Sequence, residues 1–214
     1  MYRKRFRRSL RSKRGGVLKS ALALLTVLSA GGVLGWMLLM PDAVQLEIEA
    51  RTGFPAEAES MAINPVGGLS IDGKKLTIGN PGAYGGGDAM LEIESIKGSA
   101  SLSSLGRGEI WLYELEMHIS RATLVVNENG RLNLDVFASR LFADPATGAQ
   151  LPFFAEKVRL VVDEVVFVDN SKIIPSRHGI RAMLDSERAD LEQSRDLFGP
   201  LFELARGVGA LPVP

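Results

Sequence analysis

Residues 110–119 read IWLYELEMHI, and this stretch decides the fold class. Trp111, Tyr113, Leu115, Met117 and Ile119 alternate with Leu112, Glu114, Glu116 and His118. A period of two sends successive side chains to opposite faces of a strand, so one face is apolar along its whole length. Ala122 to Asn127 follows at once, and Asn129-Gly130 is a strong turn signal. Leu132 to Phe142 reads as a short helix. Beyond it, Val158, Leu160, Val162, Val166 and Val168 alternate with Lys157, Arg159, Asp163 and Asp169, the pattern of a second long, half-buried strand. If the two apolar faces point the same way, the ten residues Trp111, Tyr113, Leu115, Met117, Ile119, Val158, Leu160, Val162, Val166 and Val168 line either a closed core or an open apolar groove.

Outward towards the amino terminus the runs are shorter. Ala89 to Lys97 reads as a strand, and Gly79 to Gly87 as a loop. Leu69 to Ile78 holds two apolar pairs around Asp72-Gly73, the sign of a hairpin or a bulge. Met61-Ala62-Ile63 stops at Asn64-Pro65. Asp42 to Thr52 reads as helix ahead of strand: Val44 and Ile48 stand one turn apart and Gly53 suits the C′ position, while the alternation of Val44, Leu46 and Ile48 leaves strand open. Towards the carboxyl terminus, Leu184, Leu191 and Phe198 recur every seven residues, and Leu201 to Ala205 continue the apolar stripe. This predicts a helical segment over 179–214, interrupted at Gly199-Pro200.

The first forty residues differ from the rest in kind. Residues 1–19 hold nine basic side chains and no acid, which leaves 16 basic against 25 acidic residues in the remainder, a formal −9. From Ser20 to Met40 there is no charge. A helix of that length is roughly 31 Å long, near the hydrocarbon thickness of a bilayer. Lys and Arg beside such a run stay in the cytoplasm. A cleaved signal peptide would have a shorter apolar core ending in small residues, and Met37 to Pro41 offers no such site. The expectation is a basic cytoplasmic tail (1–19), a transmembrane anchor (20–40), a β-rich domain (41–178) and a C-terminal helical segment (179–214). The fold class is then α+β: a single N-terminal transmembrane helix, a curved and mostly antiparallel sheet, and terminal helix.

Several short motifs follow in a fixed order. Arg51-Thr52-Gly53-Phe54 is followed by Leu76-Thr77-Ile78-Gly79-Asn80-Pro81-Gly82, then by Ser101-Leu102 with Gly108-Glu109-Ile110-Trp111-Leu112. Val125-Val126-Asn127 and Asn129-Gly130-Arg131-Leu132-Asn133-Leu134 come next, and Phe154 to Asn170 supplies the following strand. This order resembles the N-terminal region of the AsmA-like family of bacterial envelope proteins, over residues 40–170. The resemblance implies a curved antiparallel sheet with an apolar groove, an inner-membrane location with the main domain in the periplasm, and phospholipid or another apolar molecule as ligand. Family members are usually much longer.

The residue inventory argues against an enzyme. Cysteine is absent, so neither a disulfide framework nor a thiolate metal site exists. His118 and His178 stand sixty residues apart without a ligand motif. Gly82 to Gly87 leads into a strand-like run, where a phosphate cradle needs a helix start. Glu92/Glu94 and Glu114/Glu116 share strand faces but read as exposed. No cofactor, no metal and no nucleic acid is expected. The function expected is apolar-molecule handling or envelope assembly at a membrane; the alternative is a non-catalytic adaptor that holds an envelope protein partner.

Overall fold

The computed structural model describes residues 42–65, 68–144, 147–172 and 174–207. The basic tail and the expected span at 20–40 lie outside the described residues. Among the described helices none is long and apolar enough to cross a membrane, so the transmembrane helix of the expected fold class has no counterpart there.

The chain enters on helix α1 (42–52). Val44 and Ile48, one turn apart, lean on the core. Gly53 ends the helix with φ 75°, its N–H donating to the Glu49 carbonyl at 2.8 Å. A Cβ is disfavoured at that angle, which is the ordinary reason for Gly at C′. Thr52 closes the turn. Its hydroxyl donates to the Ile48 carbonyl at 2.6 Å and accepts from the Phe54 N–H at 3.1 Å, which directs Phe54 into the core at 1% exposure.

Six strands then form one sheet in chain order: β1 (Ala56–Asn64), β2 (Leu69–Gly79), β3 (Ala89–Ala100), β4 (Ile110–Val126), β5 (Phe153–Asp169) and β6 (Ser176–Leu191). Four pairings are antiparallel, but β4 and β5 run parallel. The expected mostly antiparallel sheet is therefore corrected to a mixed one. A parallel pair needs a crossover, and residues 127–152 supply it with helix α3 (Asn133–Leu141). The ends of the parallel pair are buried on both faces: Ala122 to Val126 and Val165 to Phe167 are all buried.

One row of core residues crosses all six strands in register: Ala58, Leu76, Ile93, Ile119, Val162 and Leu184. Beside it the pairing skips Glu59, Lys75, Glu94, Ser120, Asp163 and the pair Ala182-Met183. Irregularities of this kind bend strands and raise their twist, and they switch which alternate residues face inward. Lys75 and Met183 sit at positive φ, 50° and 41°.

The predicted terminal helix is also corrected. Residues 176–191 are strand β6, with Ala182, Leu184, Ser186 and Arg188 half-buried and Asp185 and Glu187 exposed. The seven-residue spacing of Leu184 and Leu191 is odd, so on a regular strand they would face opposite ways. Asp190, at φ 54°, breaks the alternation and returns Leu191 to the buried side. Helix begins only afterwards, as a 3-10 turn (Ser194–Phe198) and α4 (Gly199–Gly207). The four-residue α2 (Leu102–Leu105) joins β3 to β4, with Ser101 accepting the Ser104 N–H at 3.3 Å.

The core lies between the sheet and these helices. α3 contributes Leu134, Phe137 and Ala138; the terminal turns contribute Leu197, Phe198, Leu201, Phe202 and Ala205. Phe137 meets Phe54 and Phe198 edge-on, with ring centroids at 5.4 and 6.1 Å.

Candidate functional site

The ten residues singled out as one apolar face divide into three groups. Leu115, Met117, Ile119, Val158, Leu160 and Val162 are all buried, at 7% exposure or less, within the core. Trp111 and Tyr113 are exposed, at 40% and 46%. The β3–β4 pairing skips Tyr113, since Ser99 pairs with Glu114 and Ala100 with Leu112. Ile110 and Leu112 thus lean on the core in place of Trp111. On β5 the irregularity at Asp163 has a similar effect: Val165 and Phe167 join the core cluster, whereas Val166 is buried outside it and Val168 is half-buried against it. Strict period-two reading cannot see such switches.

The face opposite the core is charged in rows. Arg159 on β5 holds Glu116 of β4 at 3.0 Å and Asp185 of β6 by two bonds of 3.0 and 2.8 Å. Lys157 lies 3.7 Å from Glu114 and 3.6 Å from Glu187. Arg121 lies between Glu92 and Glu164 at 3.8 and 3.0 Å, and His118 meets Asp163 at 3.0 Å. The hydrogen bonds from Arg159 hold the Asp185 carboxyl below its ordinary value, and those from Lys75 do the same for Glu59. A general acid at neutral pH needs the opposite displacement. Arg159, Lys157 and Arg121 each serve two carboxylates, so these rows are tied together by ion pairs and keep an excess of negative charge. Among the described residues no three His, Asp or Glu side chains gather as metal ligands. His178 lies exposed on β6.

Two further features stand out, one on the charged surface and one beside α1. The first is aromatic. Trp111 meets Phe154 edge-on at 5.4 Å and Tyr113 at 6.5 Å, and its indole N–H donates to Glu156 Oε1 at 3.0 Å. Leu102 and Leu105, in the link preceding β4, are also exposed, at 52% and 40%. The second is a cleft of about 470 Å³ with Ile48, Leu105, Ile110, Leu141, Phe142 and Leu151 among its walls. Gly108, Glu47, Arg51, Glu109 and Asp144 complete its lining. Arg51 pairs with Glu47 and donates to the Ala143 carbonyl at 3.2 Å.

Motif residues turn out to hold the architecture. Asn133 is fully buried. Its Oδ1 accepts the N–H groups of Val125 at 3.0 Å and Leu134 at 2.8 Å. Its Nδ2 donates to the Thr123 carbonyl and to Asn80 Oδ1, both at 2.8 Å. Asn80 Nδ2 in turn donates to the Asp88 carbonyl at 3.2 Å. Asn127 Oδ1 accepts from Asn129 and Arg131 at 3.0 Å each, shaping the turn into α3. With its two lone pairs and two N–H groups all used, Asn133 has nothing left to offer a ligand. Compared with protein-family models, with characterised proteins and with solved structures, the chain matches none.

Proposed function

We propose that this chain is a non-catalytic adaptor of the cell envelope, whose β domain sits outside the cytoplasm and holds a protein partner on the aromatic platform of Trp111, Tyr113 and Phe154. The observation that carries this reading is the occupation of the inner sheet face. Its central apolar residues pack under helices of the same chain, so they are spent on folding, and an exposed aromatic cluster on a charged face is the kind of surface that marks a contact. The outer location rests on the nine basic residues of 1–19 set against the acidic remainder, and on the order of motifs resembling the AsmA-like family. A photo-reactive residue placed at Tyr113 in living cells is expected to give a protein adduct of discrete mass, and one at Lys97, exposed on β3, is expected to give none. Adducts at neither position would remove the proposal.

A second reading has its own observation. The 470 Å³ cleft beside α1 falls in the size range of small-molecule sites, and its apolar walls suit one acyl chain of a phospholipid. Lipid recovered in stoichiometric amount with the purified chain, and lost on changing Leu105 to Glu with the fold intact, would favour apolar-ligand handling over the adaptor reading. Absence of lipid would leave the adaptor reading in place.

A further inference from the structure

The sheet has two edges, and they differ. At β1, helix α1 reaches the strand through Gln45 Nε2, 3.4 Å from the Ala58 carbonyl, and the strand exposes no large apolar side chain. β6 runs for 16 residues with no described strand beyond it. It exposes Ile180 at 36% and Met183 at 85%. A long edge with bare backbone groups and apolar side chains is a template for another strand unless something protects it.

The charges say which strand. Glu92, Arg121, Glu164 and Arg181 are successive register partners across β3, β4, β5 and β6, so the signs alternate up to the edge and end on a cation. Arg121 is paired on both sides, whereas Arg181 makes no ion pair among the described residues. A second line of ion pairs, Glu116 to Arg159 and from Arg159 diagonally to Asp185 (its register partner being Glu187), ends on an anion. Only one residue separates the two irregular positions 182–183 from Asp185. The edge therefore carries a cation on one side of Met183 and an anion on the other, which is self-complementary under antiparallel pairing.

We propose that β6 is the contact between two copies of this chain, paired antiparallel about a two-fold axis at Met183. Arg181 of one copy then faces Asp185 of the other. The row Glu92, Arg121, Glu164, Arg181 continues without a break in sign into Asp185, Arg159, Glu116 of the second copy, and symmetry makes this happen twice. The irregular turn at Met183, φ 41°, falls on the axis, so the regular halves on either side do the pairing. An isologous contact of this kind closes on itself and leaves no free β6 edge.

The absence of cysteine makes the axis directly testable. A residue on a two-fold axis meets its own copy, so full-length detergent-solubilised protein carrying Met183→Cys alone is expected to form a covalent dimer on mild oxidation. Arg177→Cys alone is expected to give at least tenfold less, because its two copies would lie roughly 40 Å apart along the paired strands. Arg181→Glu, added to Met183→Cys, is expected to cut the dimer yield at least tenfold with the circular-dichroism spectrum of the folded chain unchanged. Equal yields at positions 177 and 183 would overturn the proposal, as would a monomer without cross-link at 183 or a cross-link made only to a different protein. Should Arg181→Glu fail to fold, the comparison of positions 183 and 177 decides alone.

Discussion

Asn133 shows how much of this fold hangs on single polar groups. It is buried and fully bonded, and it ties β4, the start of α3 and the end of β2 together through Thr123, Val125 and Asn80. Replacing it with Leu keeps the size and strands several buried partners, each costing about 1–3 kcal/mol when left unsatisfied. The expected loss is about 2–4 kcal/mol, measured as a lower urea midpoint with an unchanged slope. Asn80→Ala should cost less, since Asn133 Nδ2 keeps the Thr123 carbonyl. The sequence marks both asparagines, but as a turn and a helix start. Nothing in local pattern announces that residues 53 apart share a hydrogen bond.

At the scale of elements, irregularities decide what could be read. The apolar alternation of β4 and β5 identifies both strands, and Val44, Ile48 and Gly53 favour helix over strand at α1. β6 is misread because its inward positions include Ser186 and Arg188 and because Asp190 alters the period between Leu184 and Leu191. Asp tolerates the left-handed region better than most residues. Asp190→Val should therefore destabilise by about 1–2 kcal/mol, while Asp190→Gly stays within about 0.5 kcal/mol of the parent; thermal denaturation of the pair checks this. The charge rows make a second prediction at this scale. Asp185 is held below its ordinary value of 3.8 by Arg159, so its contribution is present above that value and lost as pH falls through the lower, folded-state one. Arg159→Gln should melt lower than the parent at neutral pH, and the two should converge below pH 3.8. Added salt should narrow the neutral-pH difference. Convergence at high pH instead would contradict the assignment.

For the whole molecule, the question posed by the sequence was whether its apolar face is a groove or a core. Composition could not decide it, because the cover comes from α3 and the terminal turns, and their docking is a long-range fact. The parallel pairing of β4 and β5 was legible in principle. The apolar runs at 122–126 and 165–168 are what strands buried on both faces look like, and a helix between two such strands signals a crossover. A core makes a severe prediction. Met117 and Val162 are 4% and 0% exposed, so Met117→Glu or Val162→Glu would bury a carboxylate without a partner, at a cost comparable with the ~5–15 kcal/mol that holds an ordinary domain together. Both variants should lose cooperative unfolding and resistance to protease. Tyr113→Glu, at a position of the same sequence parity but 46% exposed, should keep both. In an open groove all three would fold alike, because a carboxylate at the lip of a groove stays hydrated. If Met117→Glu and Val162→Glu fold like the parent, the helices do not seal the face, and apolar cargo regains its place on the sheet.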